Sequence, residues 1–347
     1  MEEYLKKVVN TFKFEQINNL LDKAKGLNVL VIGDTIIDHY VFVELKGRAV
    51  KDPILSVEYR DREIYPGGIL AIANHIGNFV NKIKLITLTG DQNPQLDFIT
   101  NSLGKNIELK TFTKKNSPTT VKKRIVNAYR NNKLFKIEYI NEEPINEKLT
   151  EEITAYLDQE ITNYDLVVVG DFGHGFINKA IRRKLEEKAK YLAVNTQSNS
   201  ANMGYNYFGL YNRFDFICMN ETELRLPLFR RFEDLDEVAR EAYLKFNLNA
   251  FLLTLGKNGC LFANQGDFFK APAVITSVKD TVGAGDALFA ITSLIVYLQA
   301  DNELVPFIAN SAGGIAANIM GNKESVTKEK LLDFIGGVYE KNGMGRL

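Results

Sequence analysis

A short glycine-containing stretch precedes a long apolar segment near the end of the chain. It reads Asp280-Thr281-Val282-Gly283-Ala284-Gly285-Asp286, and residues 287–298 after it are mostly apolar. Glycines let a loop approach a ligand closely, and a helix that begins behind the loop points its free backbone N–H groups and its positive dipole end at it. The stretch therefore predicts an anion-binding loop.

A carboxylate in the first turn of that helix adds chemistry to the loop. Asp286 lies beside a spot suited to negative charge, where a base can take a proton from an attacking hydroxyl. This pairing favours phosphoryl transfer to an alcohol. The alternative is a helix cap, in which Asp286 only complements the dipole for about 0.3–1 kcal/mol.

The composition sets limits on the class of protein. The chain has 347 residues, 45% of them hydrophobic, which suits one large α/β domain. Its 43 basic and 43 acidic residues balance, so overall charge does not favour a nucleic acid or a membrane as partner. No secretory signal or membrane-spanning run is recognised. Cys218 and Cys260 lie in apolar runs, typical of buried thiols in a reducing compartment, so a cytoplasmic location is predicted.

Short apolar runs alternate with segments of helical length. Six of the runs end in a polar turn or an amide and are predicted strands: residues 29–34, 85–91, 166–171, 192–195, 216–220 and 251–256. Helix-length segments at 146–162, 178–190 and 234–246 lie between some of them. The alternation predicts an α/β fold with a mainly parallel sheet and helices on both faces. Ligands of such sheets gather at the carboxyl ends of the strands.

Two regions break the alternation. Residues 41–65 and 108–140 show β-type alternation without an intervening helix, so we expect a small antiparallel sheet that leaves the main body and acts as a lid, a dimer surface or both. No linker or repeat divides the chain, which is taken as a single domain over 1–347 with a helical extension at 1–26.

The glycine-containing stretch resembles a family signature. It matches the D-T-x-G-A-G-D pattern of the ribokinase-like (PfkB) carbohydrate kinases. The resemblance implies a three-layer α/β/α sandwich with a β lid, and ATP and Mg²⁺ as cofactors; a monovalent cation is a further candidate. It also implies that Asp286 is the general base and that the N–H groups of Gly283, Ala284 and Gly285 hold the transferring phosphoryl group.

Two further stretches resemble the sugar-binding part of that family. Asp38 ends a G-D-x-x-x-D pattern, and Gly67 and Gly68 belong to a P-G-G segment before a helix. A solvated loop carboxylate and a structural turn are the alternatives. Where the family usually has Asn, this chain has Ala71, so Asn74 or His75, one turn later, is expected to replace the missing sugar contact.

Six polar or glycine positions resemble the nucleotide site of the family: Asn195, Asn220, Glu223, Thr254, Gly256 and Asn310. Among them Glu223 corresponds to the glutamate that acts on Mg²⁺ through water. A capped helix start explains Asn220 and Glu223 equally well, and close helix packing explains the Gly313–Gly314 pair beside Asn310.

Basic residues in the expected lid indicate the chemical class of the acceptor. Lys122 and Arg124 alternate on one strand face within a segment that resembles the heptose-7-phosphate kinase branch of the family, whose acceptor is a sugar phosphate. The alternative is a strand edge protected by lysines. The chain departs from the branch in the amide-rich loop 195–202 and at His174, where the branch tends to have Lys.

These observations predict an ATP- and Mg²⁺-dependent kinase that phosphorylates a sugar hydroxyl, with a sugar phosphate similar to a heptose phosphate as the favoured acceptor. Two alternatives stay open: a non-catalytic nucleotide- or sugar-binding homologue that acts with a nucleotidyltransferase in a surface-sugar pathway, and a simple-sugar or nucleoside kinase. A homodimer through the lid is expected, with no nucleic-acid or membrane partner.

Overall fold

The computed structural model describes residues 1–200, 202–275 and 277–343. Its α-helices have the following bounds: α1 Glu2–Thr11, α2 Phe14–Lys23, α3 Ile69–Gly77, α4 Leu96–Ser102, α5 Glu147–Glu160, α6 Lys179–Lys188, α7 Glu221–Arg225, α8 Leu235–Lys245, α9 Ala284–Tyr297, α10 Leu304–Ala317 and α11 Lys328–Lys341. Its strands are β1 Asn28–Arg48, β2 Leu55–Gly68, β3 Lys82–Gln92, β4 Ile107–Pro118, β5 Val121–Asn127, β6 Lys133–Tyr139, β7 Leu166–Asp171, β8 Leu192–Thr196, β9 Phe216–Asn220, β10 Ala250–Thr254, β11 Cys260–Asn264 and β12 Asp267–Ala271.

The main sheet has the order β12-β11-β10-β9-β8-β7-β1-β3-β4. From β10 to β4 neighbouring strands run parallel, while β11 and β12 extend the other edge antiparallel. Buried side chains form one core on the face covered by α3, α9, α10 and α11 and another on the face covered by α5, α6 and α8. The predicted three-layer α/β/α architecture is confirmed.

The first strand belongs to two sheets. Asn28–Asp34 pairs with β3 in the main sheet, and from Thr35 onward the same strand pairs with β2. It also pairs with β5 from Ile37 to Val43, and β6 completes this small sheet. The small sheet (Thr35–Arg48 of β1 with β2, β5 and β6) therefore grows directly out of the carboxyl end of a central strand.

The prediction for residues 108–140 was wrong in its first third. Ile107–Pro118 is β4, an edge strand of the main sheet that runs parallel to β3. Its alternating exposed and buried side chains are those of a strand covered on one face. Only β5 and β6 of that region belong to the small sheet.

The predicted helical extension consists of α1 and α2, which pack on α11. The hydroxyl of Tyr339 donates to the carbonyl of Phe12 at 2.6 Å, and the ring of Tyr339 meets that of Phe14 edge-on at 5.8 Å. Across the described residues, no helix combines the length and the apolar character needed to cross a membrane. Cys218 and Cys260 are free and buried, as predicted.

Candidate active site

The glycine-containing loop at residues 280–286, here called the phosphoryl loop, has Gly283 at the N-cap of α9. Gly283 caps α9 with a φ of +83°, a conformation that favours glycine. A Cβ atom there would lie 1.9 Å from Oδ1 of Asn322, so the position has no room for a side chain. The sequence therefore needs glycine here both for its φ and for its packing.

Free N–H groups at the start of α9 face the loop. Within the described part of the chain, the N–H groups of Gly283, Gly285 and Asp286 have no hydrogen-bond acceptor. The N–H of Ala284 is instead bonded to the carbonyl of Thr281 at 3.3 Å. Among the described residues, the N–H groups without an acceptor are therefore those of 283, 285 and 286, and not those of 283–285 as predicted, because the Ala284 N–H is already hydrogen-bonded. Such an array suits the oxygens of a phosphate.

A cavity of about 270 Å³ joins this loop to the small sheet. Seven of the predicted site residues line it: Asp38, Gly68, Lys122, Arg124, Gly283, Gly285 and Asp286. They come from four separate parts of the chain. The structure thus brings together the proposed base, the loop and most of the predicted acceptor-binding side chains.

Asp286 is the acidic group at the centre of this cavity. Burial of its carboxylate, together with the charge of Asp38, raises its pKa to about 7, while Lys122 acts in the opposite direction. No side-chain hydrogen bond ties it to the described residues. A carboxylate with a pKa near neutrality can accept a proton and release it again.

Asp38 is fixed by the strand beside it. In register, Asp38 lies opposite Lys122 and Tyr40 lies opposite Arg124, on β1 and β5. The Arg124 guanidinium donates to the Asp38 carboxylate and lies over the Tyr40 ring, 5.5 Å from its centre. Gly67 is required behind this pair, because a Cβ atom there would stand 2.5 Å from Oδ2 of Asp38. Asp38 is thus oriented before any ligand arrives.

Lys122 is the unpaired cation of the cavity. Its side chain is buried, and no carboxylate among the described residues lies within ion-pair distance of its ammonium. Burial lowers its pKa, partly offset by the charges of Asp38 and Glu138. The neighbouring Lys136 is paired with Glu138 at 3.0 Å. Lys122 is therefore free to bind an anion, which Arg124 and Lys136 are not.

The carboxyl ends of β8 and β9 carry three of the predicted nucleotide-site residues. Asn220 and Glu223 form a reciprocal cap of α7, with the Asn220 N–H donating to Glu223 at 2.8 Å. The other oxygen of Glu223 accepts from the N–H of Ser198 at 3.0 Å. Asn195 donates to the carbonyl of Cys218 at 2.9 Å. The capping interpretation of Asn220 and Glu223 is what the contacts show.

Glu223 is nevertheless more than an ordinary cap. It is buried, and burial raises its pKa to about 7 although Asn220 and Ser198 donate hydrogen bonds to it. Its charge is also close enough to raise the pKa of Asp286. The two carboxylates therefore share one electrostatic environment.

The other predicted nucleotide residues lie toward β10 and β12. Thr254 ends β10, and Gly256 follows with a φ of +55°. Asn310 on α10 donates to the carbonyls of Ala271 and Pro272 at 3.3 and 3.2 Å. None of the three lines the cavity around Asp286. Gly313 and Gly314 pack against the side chains of Leu288 and Ile275, which supports the packing explanation for that pair.

The expected replacements for the missing sugar contact do not lie in this cavity. Asn74 donates to the carbonyl of Ser102 at 2.8 Å and accepts from the N–H of Gly104 at 3.0 Å. His75 is buried and accepts from the N–H of Val326 at 3.0 Å. Ala71 is buried in α3. Both polar residues fasten α3 to neighbouring loops, because one turn of helix carries them away from the carboxyl edge of the sheet.

His174 is buried under the small sheet. Its Nδ1 lies 3.3 Å from the carboxylate of Glu142, and its Nε2 has no partner in the described structure. Burial lowers its pKa to about 3, and nearby Lys122 and Lys136 add to the effect. The ring is therefore neutral at physiological pH.

Sequence reasoning missed the contacts of Asp280. This buried carboxylate accepts hydrogen bonds from the Tyr40 hydroxyl and the Lys133 ammonium, both in the small sheet. Phe172 and Gln197 also line the cavity and were not predicted. The only signal for Asp280 was its place in the signature, since Tyr40 and Lys133 are distant in sequence and meet it through strand register.

The carboxylates of the site suit a magnesium ion whose ligands are mostly phosphate and water oxygens. In the described chain no three His, Cys, Asp or Glu side chains are grouped to hold a metal. Asp286 belongs to the phosphoryl loop, and the charges of Asp38 and Glu223 are close enough to raise its pKa. Magnesium accepts few protein ligands when phosphate and water oxygens complete its shell, so the residues present fit that mode.

The chain is similar in sequence to a known protein family and to curated proteins. The pattern of the pfkB family carbohydrate kinases matches residues 27–320. The bifunctional protein HldE of Nitratiruptor sp. is 23% identical over 304 residues, covering 87% of this chain and 63% of the relative. The chain thus spans less than two thirds of that relative's length.

Two solved proteins share the fold. Phosphofructokinase-2 from Escherichia coli in complex with potassium has a TM-score of 0.70 at 14% identity, covering 90% of this chain and 99% of that one. The same enzyme with fructose-6-phosphate has a TM-score of 0.68 at 14% identity, with the same coverage. Arabidopsis thaliana ribokinase with ribose and ATP has a TM-score of 0.65 at 15% identity, covering 89% and 98%. The family match spans most of the chain, and the chain therefore belongs to the pfkB family of carbohydrate kinases.

Proposed function

We propose that the protein transfers the γ-phosphoryl group of ATP to a hydroxyl of a sugar phosphate. The observation that carries this proposal is the single cavity in which Asp286, the free N–H groups at the start of α9, and Asp38 meet. Family membership supplies the reaction class, a phosphotransfer to a carbohydrate. The finer assignments below rest on the contacts of the cavity.

Each residue has a defined task in this proposal. Asp38, held by Arg124, accepts hydrogen bonds from the acceptor hydroxyls and orients the sugar. Asp286 takes the proton of the attacking hydroxyl. The N–H groups of Gly283, Gly285 and Asp286 stabilise the negative charge of the transferring group. A bound Mg²⁺ ion would neutralise phosphate charge, with Glu223 acting on it through water.

The phosphate of the acceptor is assigned to Lys122. Among the residues that line the cavity, it is the buried cation without a carboxylate of the described chain within ion-pair distance, and a charge-assisted bond from an ammonium to phosphate is strong. The resemblance of the segment around Lys122 to the heptose-7-phosphate kinase branch and the fructose-6-phosphate complex of the fold neighbour both support a phosphorylated sugar as acceptor. Heptose phosphates are the first compounds to test.

A second candidate is the phosphorylation of a sugar without phosphate. Arg124 and Lys136 are neutralised by Asp38 and Glu138, so the cavity offers one free cation and not a cluster. The fold neighbour that holds ribose and ATP has a neutral acceptor. Only the acceptor differs between the two candidates, not the roles of Asp286 and the loop.

The test is ADP release with ATP, Mg²⁺ and a panel of sugars and sugar phosphates, including heptose 7-phosphate. Release with a sugar phosphate at a KM well below that of its parent sugar supports the first candidate. Release with neutral sugars alone supports the second. Melting shifts with ATP or sugars but no ADP release on any acceptor would instead favour a binding protein. Addition of K⁺ to the same assay tests a monovalent-cation requirement.

We also propose a homodimer through the outer face of the small sheet. The face turned away from the cavity exposes large apolar side chains, among them Tyr59 (58%), Phe135 (51%), Tyr139 (47%) and Ile137 (42%). Apolar surface of this kind is typical of an interface. Light scattering should give twice the chain mass, and Phe135→Glu should give one chain mass with an unchanged circular-dichroism spectrum. A wild-type monomer at micromolar concentration would contradict the proposal.

A nucleotidyltransferase partner and a cytoplasmic location stay predictions. The HldE relative is named as bifunctional, and a second activity that uses the phosphorylated sugar would suit a nucleotide-sugar pathway. Copurification with a nucleotidyltransferase tests the first prediction, and fractionation of cells tests the second.

A further inference from the structure

We infer that Tyr40 and Lys133, which belong to the small sheet, are positioning residues that hold the phosphoryl loop in place. Both belong to the small sheet, one on β1 and the other on β6. Their common target is Asp280, the first residue of the phosphoryl loop. The link to turnover rests on the proposed function, whereas the link to loop order does not.

Asp280 is a junction of four hydrogen bonds. One oxygen accepts from the Tyr40 hydroxyl at 2.7 Å and from the Gly321 N–H at 3.1 Å. The other accepts from Lys133 and from the Val282 N–H at 3.1 Å. Two donors thus come from loops beside α9 and two from the small sheet. A carboxylate shared in this way holds the start of the loop relative to the sheet above it.

Tyr40 also connects this junction to the acceptor side of the cavity. Its buried ring is in contact with two cations, with Arg124 at 5.5 Å and Lys133 at 5.9 Å from the ring centre. Arg124 in turn holds Asp38. One side chain therefore contacts the group that orients the sugar and the group that anchors the loop, so that a displacement at Asp38 is passed to residues 280–286.

Lys133 is the charge partner of Asp280. Although burial would raise the pKa of Asp280, hydrogen bonds from Lys133 and Tyr40 lower it overall. The carboxylate is consequently ionised at neutral pH and accepts all four bonds. Removing either donor leaves a buried charge with fewer partners, and the loop loses part of its support.

The first measurement is backbone hydrogen exchange in the full-length protein, which needs no acceptor. Tyr40→Phe keeps the ring and removes the hydroxyl, and Lys133→Met keeps the length and removes the charge. Each should speed exchange of the hydrogen-bonded loop amides of Asp280, Val282 and Ala284 by about tenfold, the factor for one lost bond to a charged group. Tyr59→Phe and Lys123→Met, on the outer face of the small sheet, should not change it.

The second measurement separates positioning from a purely structural role. With the acceptor found by ADP release, Tyr40→Phe should lower kcat about tenfold with a smaller change in the KM for ATP, because the loop is loosened and not removed. If exchange of the loop and kcat both match wild type in Tyr40→Phe and Lys133→Met, the inference is wrong. If wild type releases no ADP on any acceptor, the proposed function fails, and the exchange rates alone decide the inference.

Discussion

The carboxylate of Asp38 and the guanidinium of Arg124 form a buried ion pair across the adjacent strands β1 and β5. This pair changes the role of Arg124. The sequence predicts that Arg124 binds the acceptor alongside Lys122, but its guanidinium is paired with Asp38. In the proposed function Arg124 therefore orients Asp38, and Lys122 binds the phosphate.

Arg124→Met should therefore destabilise the fold as well as impair sugar binding. Removing one partner of a buried ion pair leaves the other charge unpaired, which costs about 3–5 kcal/mol. Urea unfolding measures the loss. Adding Asp38→Asn to this variant should restore most of the stability, because no buried charge is then left alone; a double variant as unstable as the single one would contradict this account.

Lys122→Met should weaken the binding of a sugar phosphate without destabilising the fold. Its ammonium is buried without an ion-pair partner, so its removal should leave stability nearly unchanged or raise it. The KM for a sugar phosphate should rise about 10- to 100-fold, while the KM of the parent sugar stays the same. Lys123→Met, on the other face of β5, is the matched control. Equal losses for phosphorylated and neutral sugars would rule out the assignment of Lys122 to the phosphate.

Asp286→Asn should retain ATP binding and lose nearly all turnover. A general base contributes about 10²- to 10⁴-fold, and an amide cannot replace it. Isothermal titration with ATP and steady-state ADP release give the two values. Near-wild-type turnover in this variant would show that Asp286 is not the base.

The pH dependence of kcat/KM in the wild-type protein should report the ionisation of Asp286. Asp286 has a pKa of about 7 and must be ionised to accept a proton, so kcat/KM should rise with pH through that value and then level off. Glu223 titrates in the same range, and Glu223→Gln serves as the control. The rising limb should persist in this variant, and its disappearance would assign the limb to Glu223.

The ionisation of Asp34 should lower the free energy of unfolding as the pH rises toward neutrality. Burial and the charge of Asp171 raise its pKa in the folded chain to about 7. From about pH 4 to 7 the folded state holds a proton that the unfolded state has released, so the free energy of unfolding falls by up to about 4 kcal/mol across this window.

Urea unfolding at a series of pH values checks this dependence. Asp34→Asn keeps an oxygen that accepts from the Phe172 N–H. It should make the curve shallower without flattening it, because Glu223 and Asp286, whose pKa values are also raised to about 7, contribute over the same range. Asp267→Asn, at an exposed position, should leave it as in wild type. A curve for Asp34→Asn that is as steep as that of wild type would assign the dependence to other groups.

Much of the fold follows from local patterns. The buried strands such as Leu166–Asp171 are short apolar runs, and their alternation with helices predicts the parallel sheet. β4 was misassigned because a half-exposed edge strand of the main sheet has the same alternating pattern as a strand of the small sheet. Periodicity describes the two faces of a strand and not the sheet to which it belongs.

The site could be predicted in part for a similar reason. Gly283 and Asp286 lie in one continuous signature, and Asp38, Gly68 and Lys122 were found by resemblance. Long-range pairing could not be found in this way. The Arg124–Asp38 pair depends on the register of β1 with β5, and the contacts of Tyr40 and Lys133 with Asp280 join positions 147 or more residues apart. Asn74 or His75 is predicted to replace the asparagine that the family has at position 71, but both side chains bond to loops next to α3 and neither lines the cavity.

The continuous course of β1 has a mechanical consequence. A flap attached by flexible loops can swing freely, with an amplitude set by the length of its tethers. Here the small sheet is carried on an uninterrupted strand that is hydrogen-bonded on both sides of Asp34. We expect any opening of the small sheet to bend β1 near Asp34. Because Asp38 lies just beyond this point on the same strand, access to the cavity and the orientation of the Asp38 carboxylate should change together.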